Sequence, residues 1–296
     1  MTGVLPADDH HLATFEAERA RLLGLAYRIT GSRSGAEDLV QEAWLRWDRA
    51  DHEAIERPAA WLTTVTSRLA LDHLKSAQVR REAYVGPWLP EAATVEAGPA
   101  ERAELAESVT IGFLAVLERL GPEERVVFLL ADVFALPFDE IGAIVDKTPE
   151  ACRQVASRAR RRVREGRPRY SPTDDDAWQV AAAFLTAAQL GDLDGLVALL
   201  SDDALVVSDG GADHHAARQP IVADRIPRFL ANLTARVPAD AVRSMRVLNG
   251  QPTLVVEEHG AVSFTVGLAV AAGQVQRIWI IRNPEKLRTI NAPPIP

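Results

Sequence analysis

Over roughly the first 170 residues, apolar positions recur at helical spacing. FEAERARLLGLAYRIT places Phe15, Leu22, Leu25, Ala26 and Ile29 on one stripe and stops at Gly31, which predicts an amphipathic helix. SGAEDLVQEAWLRWDRA opens on Ser34, a suitable N-cap, with Glu37 placed to complete a capping box. Pro58 fits the first turn of a third helix, PAAWLTTVTSRLALDHLKSAQVRRE, with a stripe of Trp61, Leu62, Val65, Leu69 and Leu74. Residues 83–100 mix Pro, Gly and small residues without a period and read as a linker. A second helical block follows, and its last two helices, FDEIGAIV and TPEACRQVASRARRRVREG, are separated by Asp146 and Lys147, a helix-turn-helix spacing.

Beyond GRPRYSPTDDD, read as a second linker, the period changes from helical to alternating. One helical stretch, DAWQVAAAFLTAAQLGDLDGLVALL, precedes short β-type runs: ALVVSDGG, MRVLNG, TLVVEE, VSFTVGLAVAAG and QVQRIWIIR. Helices followed by a sheet, expected to be antiparallel, predict an α+β domain. The predicted fold class is therefore multidomain, with two all-α modules followed by an α+β domain.

Composition changes this picture little. The 296 residues, 47 % hydrophobic and 25 % charged, suit an ordinary globular chain long enough for more than one domain. With no apolar run long enough to span a bilayer and no leader-like start, the expected location is the cytoplasm and no membrane partner is expected. The one cysteine, Cys152, excludes an internal disulfide and a cysteine zinc cluster and reads as a small residue inside a helix.

Charge matters locally. The formal net charge is −8, and neither the first 170 residues nor the remainder is basic, yet residues 153–169 hold eight arginines. Phosphates respond to local cation density, so this stretch reads as a DNA-facing second helix of the helix-turn-helix. Its N-terminal part would enter the major groove, making Arg153, Gln154 and Ser157 candidate base readers, while Arg158, Arg160, Arg161 and Arg164, with Arg162, contact phosphate. A second basic helix carries Arg68, Lys75, Arg80 and Arg81 beside Trp61, Thr64 and Ser67, a mixture suited to phosphate contact and stacking of an unpaired base. Taken alone this is weak evidence, since a tryptophan at the position of Trp61 is more often simply core.

AYRITGSRSGAEDLVQEAWLRWDRA, WLTTVTSRLALDHLKSAQVRRE and LGPEERVVFLLADVFALPFDEIGAIVDKTPEACRQVASRARRRVRE resemble regions 2 and 4 of extracytoplasmic-function sigma factors, in order and at matching spacing. The remainder resembles a SnoaL-like extension of the NTF2-like superfamily. PWLPEA (87–92), DGGA (209–212) and NPEKL (283–287) resemble the WLPEP, DGGG and NPDKL signatures of sigma factors that carry it, the SigJ-like group. The resemblance implies region 2 over 1–82, a signature-bearing linker over 83–107, region 4 over 108–169 and the extension over 170–296. It implies a core RNA polymerase surface at Asp38, Gln41, Glu42, Arg46 and Trp47, facing the β′ coiled coil, where the residues alone read as a polar helix face with a buried Trp; Val127, Phe128 and Leu130 would lie toward the β flap, with core packing an equally good reading of each. Helix 58–82 would melt and read the −10 promoter element, and the helix-turn-helix would read the −35 element. Trp88, Leu89, Pro90 and Glu91 of the linker are expected to meet the extension near Asp209, Gly210 and Gly211 or near Asn283, Pro284, Glu285, Lys286 and Leu287.

The extension's titratable residues, Asp209, Asp213, His214, His215, Glu257, Glu258 and His259, single out no catalytic dyad. The adjacent Asp213-His214-His215 run does not by itself make a metal site. The expectation is a non-enzymatic sigma factor without cofactor or metal, whose fused domain controls it and accommodates a small-molecule ligand. Two alternatives remain: a conventional helix-turn-helix regulator with a sensing domain, or an NTF2-like enzyme fused to a DNA-binding module.

Overall fold

Ser32, rather than Ser34, starts the second helix. Its hydroxyl accepts the Gly35 N–H at 2.9 Å, and Ser34 already lies inside the helical turn. The computed structural model describes residues 7–81, 86–94, 108–166, 175–211 and 216–295. The chain divides into two units: residues 1–80 with 116–166 and 295–296, and residues 81–115 with 167–294.

In the first unit, α1 (Ala7–Thr30), α2 (Arg33–Asp48) and α3 (Pro58–Arg81) form a bundle. The stripe predicted for α1, Phe15, Leu22, Leu25, Ala26 and Ile29, is buried, as are Leu39, Val40 and Ala43 of α2; of the α3 stripe Leu62 and Leu74 are buried, while Trp61, Val65 and Leu69 are only partly so. Trp47 ties all three together. Its indole N–H donates to the His11 carbonyl at 2.9 Å, and its ring meets Trp61 of α3 at a centroid separation of 5.5 Å. A buried indole needs such an acceptor.

The helix-turn-helix follows α4 (Ile111–Leu117) and α5 (Pro122–Phe128), which runs on through a π-type turn, Leu129–Val133. Its helices are α6 (Phe138–Val145) and α7 (Pro149–Gly166). Asp146 closes α6 in the left-handed conformation (φ 57°), the Lys147 N–H donates to the Gly142 carbonyl, and a side chain on Gly142 would come within 2.4 Å of the Lys147 carbonyl oxygen. The turn therefore requires glycine at 142. Along α7, Cys152, Val155, Ala156, Ala159 and Val163 are buried, which leaves the arginines on the outer side; burial pushes the Cys152 thiol pKa up.

The second unit contains α8 (Asp175–Leu190) and α9 (Leu193–Leu199), a six-stranded sheet, and α10 (Ile226–Thr234) and α11 (Pro284–Leu287). The strands are β1 (Leu200–Asp209), β2 (Ile221–Val222), β3 (Val242–Leu248), β4 (Gln251–Glu258), β5 (Ala261–Ala271) and β6 (Gln274–Ile281). Their order is β2-β1-β6-β5-β4-β3. Strands β3 to β6 form an antiparallel meander, turned at Asn249-Gly250, His259-Gly260 and Ala272-Gly273, all at positive φ as two-residue hairpins require. The expectation of a wholly antiparallel sheet is corrected at one place: β1 pairs with β6 in parallel, because a crossover through α10, not a hairpin, separates β1 from the meander.

The two faces of this sheet bury different things. Val206, Ile278 and Ile280 pack beneath helical residues such as Phe184, Leu196 and Leu230. Leu248, Val255, Trp279 and Ile281 point to the opposite face and pack on Leu89, Ala92, Ile111, Leu287 and Ile290. Period-two alternation thus makes one face a domain core and the other a seat for the linker.

Candidate functional site

The linker seat is built around a buried ion pair. Asp209 ends β1 and Lys286 lies on α11, their side chains almost wholly buried, with Lys286 Nζ donating to Asp209 Oδ2 at 2.6 Å. The same carboxylate oxygen accepts the Leu89 N–H at 2.7 Å, and the ammonium also donates to the Leu89 carbonyl. Lys286 Nζ lies 3.9 Å from the centre of the Trp88 ring, a cation–π contact. One linker residue thus presents both its backbone groups to one charge pair.

Local sequence explains how the pair is held. Asp209 Oδ1 accepts the Gly211 N–H at 3.1 Å, and the Asp209 carbonyl accepts the Arg282 N–H at 2.7 Å. Asn283 caps α11 by accepting the Glu285 N–H at 3.0 Å, which orients the turn bearing Lys286. Gly211 stands at φ +70°, and an added Cβ would lie 2.9 Å from Asn283 Cγ. Pro90 and Glu91 are buried, Thr289 donates to Glu91 at 3.4 Å, Leu287 joins the apolar seat, and Pro284 and Glu285 are exposed. Gly210 is buried between these elements.

Sequence reasoning missed a second clamp. Asn249, wholly buried, accepts the Ala93 N–H on its side chain at 2.8 Å, donates its backbone N–H to the Ala93 carbonyl at 2.8 Å, and donates its amide to the Val109 carbonyl at 2.6 Å. The Asn-Gly pair carried a hairpin signal that fully accounted for an asparagine there. Only its burial reveals the other role.

On α7, Gln154, Ser157, Arg158, Arg161 and Arg164 are exposed. Three other arginines are engaged within the unit: Arg153 with Glu150 at 3.1 Å, Arg160 with Asp132 at 2.8 Å and Arg162 with Glu124 at 2.5 Å. Glu150 is held below the usual carboxylate pKa, first by a hydrogen bond from its own backbone N–H at the helix start and then by Arg153. Arg153 also lies over the Phe138 ring at 5.6 Å. The cations without a carboxylate partner among the described residues are therefore Arg158, Arg161 and Arg164.

On α3, Lys75 is exposed, Trp61 and Thr64 are half-buried, and the side chains of Arg80 and Arg81 lie outside the described residues. Arg68 donates to the Ala143 carbonyl at 2.5 Å and Arg57 pairs with Glu140 at 3.1 Å, so the first helix of the helix-turn-helix lies against α3. Trp61, Thr64, Glu140 and Ala143 line a groove of about 680 Å³ between them. Two assignments are corrected. Ser67 is wholly buried and its hydroxyl does not face a DNA surface, because it falls on the core stripe with Leu71 and Leu74. Trp47, proposed for a polymerase surface, is the bundle's central core residue, whereas Asp38, Gln41 and Arg46 are exposed and Glu42, half-exposed, pairs with Arg46 at 3.0 Å. Val127, Phe128 and Leu130 are likewise core.

The other face of the sheet holds a cavity of about 360 Å³ lined by Ser208, Phe229, Asn232, Arg236, Ile280 and Arg282 among others. Of the titratable residues considered for catalysis, Asp209 serves the linker seat, Glu257 pairs with Arg246 at 2.8 Å, and none of Glu257, Glu258 and His259 lines the cavity. Asp213, His214 and His215 lie outside the described residues. Among the described residues no cluster of metal-ligating side chains occurs, and no helix is long and apolar enough to cross a membrane.

Two helical modules with outward-facing cations, followed by a sheet domain that grips the segment between them, define a DNA-recognition chain with a built-in accessory domain. Sequence comparison places the modules: Sigma-70 region 2 matches residues 14–80, and Sigma-70, region 4 matches residues 112–163. The ECF RNA polymerase sigma factor SigJ of Mycobacterium tuberculosis is 38 % identical over 289 residues, covering 93 % of this chain and 92 % of that one. The probable ECF RNA polymerase sigma factor SigI of the same species is 37 % identical over 287 residues, covering 95 % and 96 %. The crystal structure of SigJ superimposes with a TM-score of 0.74 at 34 % identity, over 95 % of this chain and 100 % of that one. The chain belongs to the extracytoplasmic-function RNA polymerase sigma factors, as a member with a C-terminal α+β extension. It is a promoter-recognising alternative sigma factor.

Proposed function

We propose that this sigma factor joins core RNA polymerase through the Asp38–Arg46 face of α2, reads the −35 element as duplex with α7, and opens and reads the −10 element with α3. Its extension sets when this happens. The observation that carries the regulatory reading is the Leu89–Asp209–Lys286 arrangement, in which the segment joining the two promoter-reading modules is held by hydrogen bonds to a buried charge pair. A linker so held has a fixed path, whereas the two modules on DNA need a different one. Elements centred some 25 base pairs apart lie roughly 85 Å apart along the duplex, at about 3.4 Å per step. Modules joined through Arg57–Glu140 and Arg68–Ala143 do not span that distance and must part.

Both contacts are at exposed positions, where an ion pair contributes about 0–1 kcal/mol. Polymerase and promoter can therefore separate the modules readily. The linker seat is the stronger restraint, and tethering keeps it at high effective concentration. The test is transcription in vitro with purified core polymerase on promoters selected from a randomised pool, comparing the full chain with a form ending near Arg169. Initiation by either establishes the activity, and a difference between them gives the sign of control. Duplex binding without initiation by either would point to a conventional regulator instead.

A further inference from the structure

The basic side of α3 extends one residue beyond the helix itself. Arg57 precedes Pro58, and its carbonyl accepts the Trp61 N–H at 3.0 Å, the first bond of the helical ladder. At helical spacing Arg57, Trp61, Thr64, Arg68 and Lys75 therefore share one side, three cations flanking an indole and a hydroxyl. Two of these cations reach α6. Arg57 pairs with the Glu140 carboxylate at 3.1 Å, and Arg68 donates to the Ala143 carbonyl at 2.5 Å. Glu140 and Ala143, three residues apart, share one face of α6 in turn.

The groups that α6 offers have the chemistry of a nucleic-acid backbone. Glu140 brings a full negative charge. Ala143 is among the last four residues of α6, whose carbonyls carry the partial negative charge of the helix end and take partners from outside the helix. Arg57 and Arg68 thus hold a carboxylate oxygen and a helix-end oxygen, where on DNA they would hold phosphate oxygens. Trp61 and Thr64 line the groove that Glu140 and Ala143 border from the other side.

We propose that Arg57 is a further contact to the backbone of the −10 strand, and that Glu140 shields it in the free protein by standing in for a phosphate. The strand and α6 compete for the same guanidinium, so the strand gains its full set of contacts only as the modules part. Glu140 adds its own repulsion toward an approaching phosphate. The inference rests on α3 reading the −10 strand, and it adds to that reading a residue and a form of control. The Arg57 side chain is 72 % exposed and that of Glu140 31 %, so either can be changed without opening the bundle core.

The experiment is fluorescence anisotropy of the full chain with a labelled single strand bearing the −10 element of a selected promoter and, for backbone contact alone, with labelled oligothymidylate, each at several salt concentrations. Glu140→Gln keeps the side-chain shape, removes the charge and should tighten binding by about two- to fivefold, the span that loosening an exposed ion pair gives. In the Glu140→Gln chain, adding Arg57→Gln should weaken binding and lower the slope of log affinity against log salt by about 0.7, one phosphate contact on a single strand. A strut that merely held α6 would behave otherwise: Arg57→Gln alone would tighten binding as Glu140→Gln does, and the salt slope would not move. That result overturns strand contact, and an affinity unmoved by Glu140→Gln overturns shielding. Failure of both strands to saturate any of these chains overturns both parts. Transcription in vitro by the full chain reads sigma activity separately, so initiation alongside unchanged strand binding in the variants sinks this inference and leaves the sigma-factor reading standing.

Discussion

Replacing Lys286 with methionine isolates what the buried charge pair contributes to holding the linker. Methionine keeps the unbranched stem and a sulfur contact to the Trp88 ring, so packing changes little. What is lost is the ammonium that bridges Asp209 Oδ2 and the Leu89 carbonyl. Asp209, about 1 % exposed, then keeps a buried negative charge supported by the N–H groups of Leu89 and Gly211. Breaking one side of a buried pair costs about 3–5 kcal/mol, and the remaining support from backbone N–H groups places this case near the low end, about 3 kcal/mol.

Because the loss falls on the linker, it is read where the linker is held. Hydrogen exchange of the Leu89 amide in the full chain should accelerate by roughly a hundredfold, at about 1.4 kcal/mol per factor of ten. Asp209→Asn should act similarly, since it strands the ammonium instead. Combining the two leaves no lone charge, so the double variant should fall short of the summed single losses by about 2 kcal/mol. Leu89 exchange within about threefold of the unmodified chain in Lys286→Met would refute the argument, as would strict additivity. Either would mean that the apolar contacts of Leu89, Ala92 and Ile290, with the Asn249 clamp on Ala93, hold the linker without help from the charge pair.

Gly211→Ala brings a Cβ within 2.9 Å of Asn283 Cγ at a φ of +70°, and should loosen the same seat by about 1–3 kcal/mol, seen as faster exchange at Leu89 and Ala93. Gly142→Ala forces a Cβ onto the Lys147 carbonyl and should lower both thermal stability, by about 1–3 kcal/mol, and duplex affinity measured by fluorescence anisotropy. Arg158→Ala or Arg161→Ala should each reduce the slope of log affinity against log salt by about 0.9, whereas Arg162→Ala, whose guanidinium is engaged by Glu124 at 2.5 Å, should reduce it by less than half as much. Trp47→Ala should destabilise the bundle by about 3–5 kcal/mol in thermal denaturation, while Asp38→Ala should stay within about 0.5 kcal/mol and instead weaken the association with core polymerase.

The helix 149–166 was legible because it carries a one-sided apolar stripe, and the meander because Asn-Gly, His-Gly and Ala-Gly pairs punctuate it. Places where the sequence misled share a physical cause: one residue satisfies two demands and pattern reveals only the local one. Ser34 fits a cap by composition, but Ser32 is the serine whose hydroxyl meets an unpaired helix N–H. Ser67 lies on a polar-looking helix, yet its angular position sends it into the core. Asn249 fits its hairpin turn so well that nothing local hints at Ala93 and Val109, far off in the chain. Asp209 and Lys286, by contrast, lie in the two signatures offered as alternative seats for the linker; that they form one seat, 77 positions apart, is visible only in the structure. The β1–β6 parallel pairing is what brings them together: it sets the end of β1 beside the start of α11, so that a strand-register choice, invisible in either segment alone, creates the site that holds the linker.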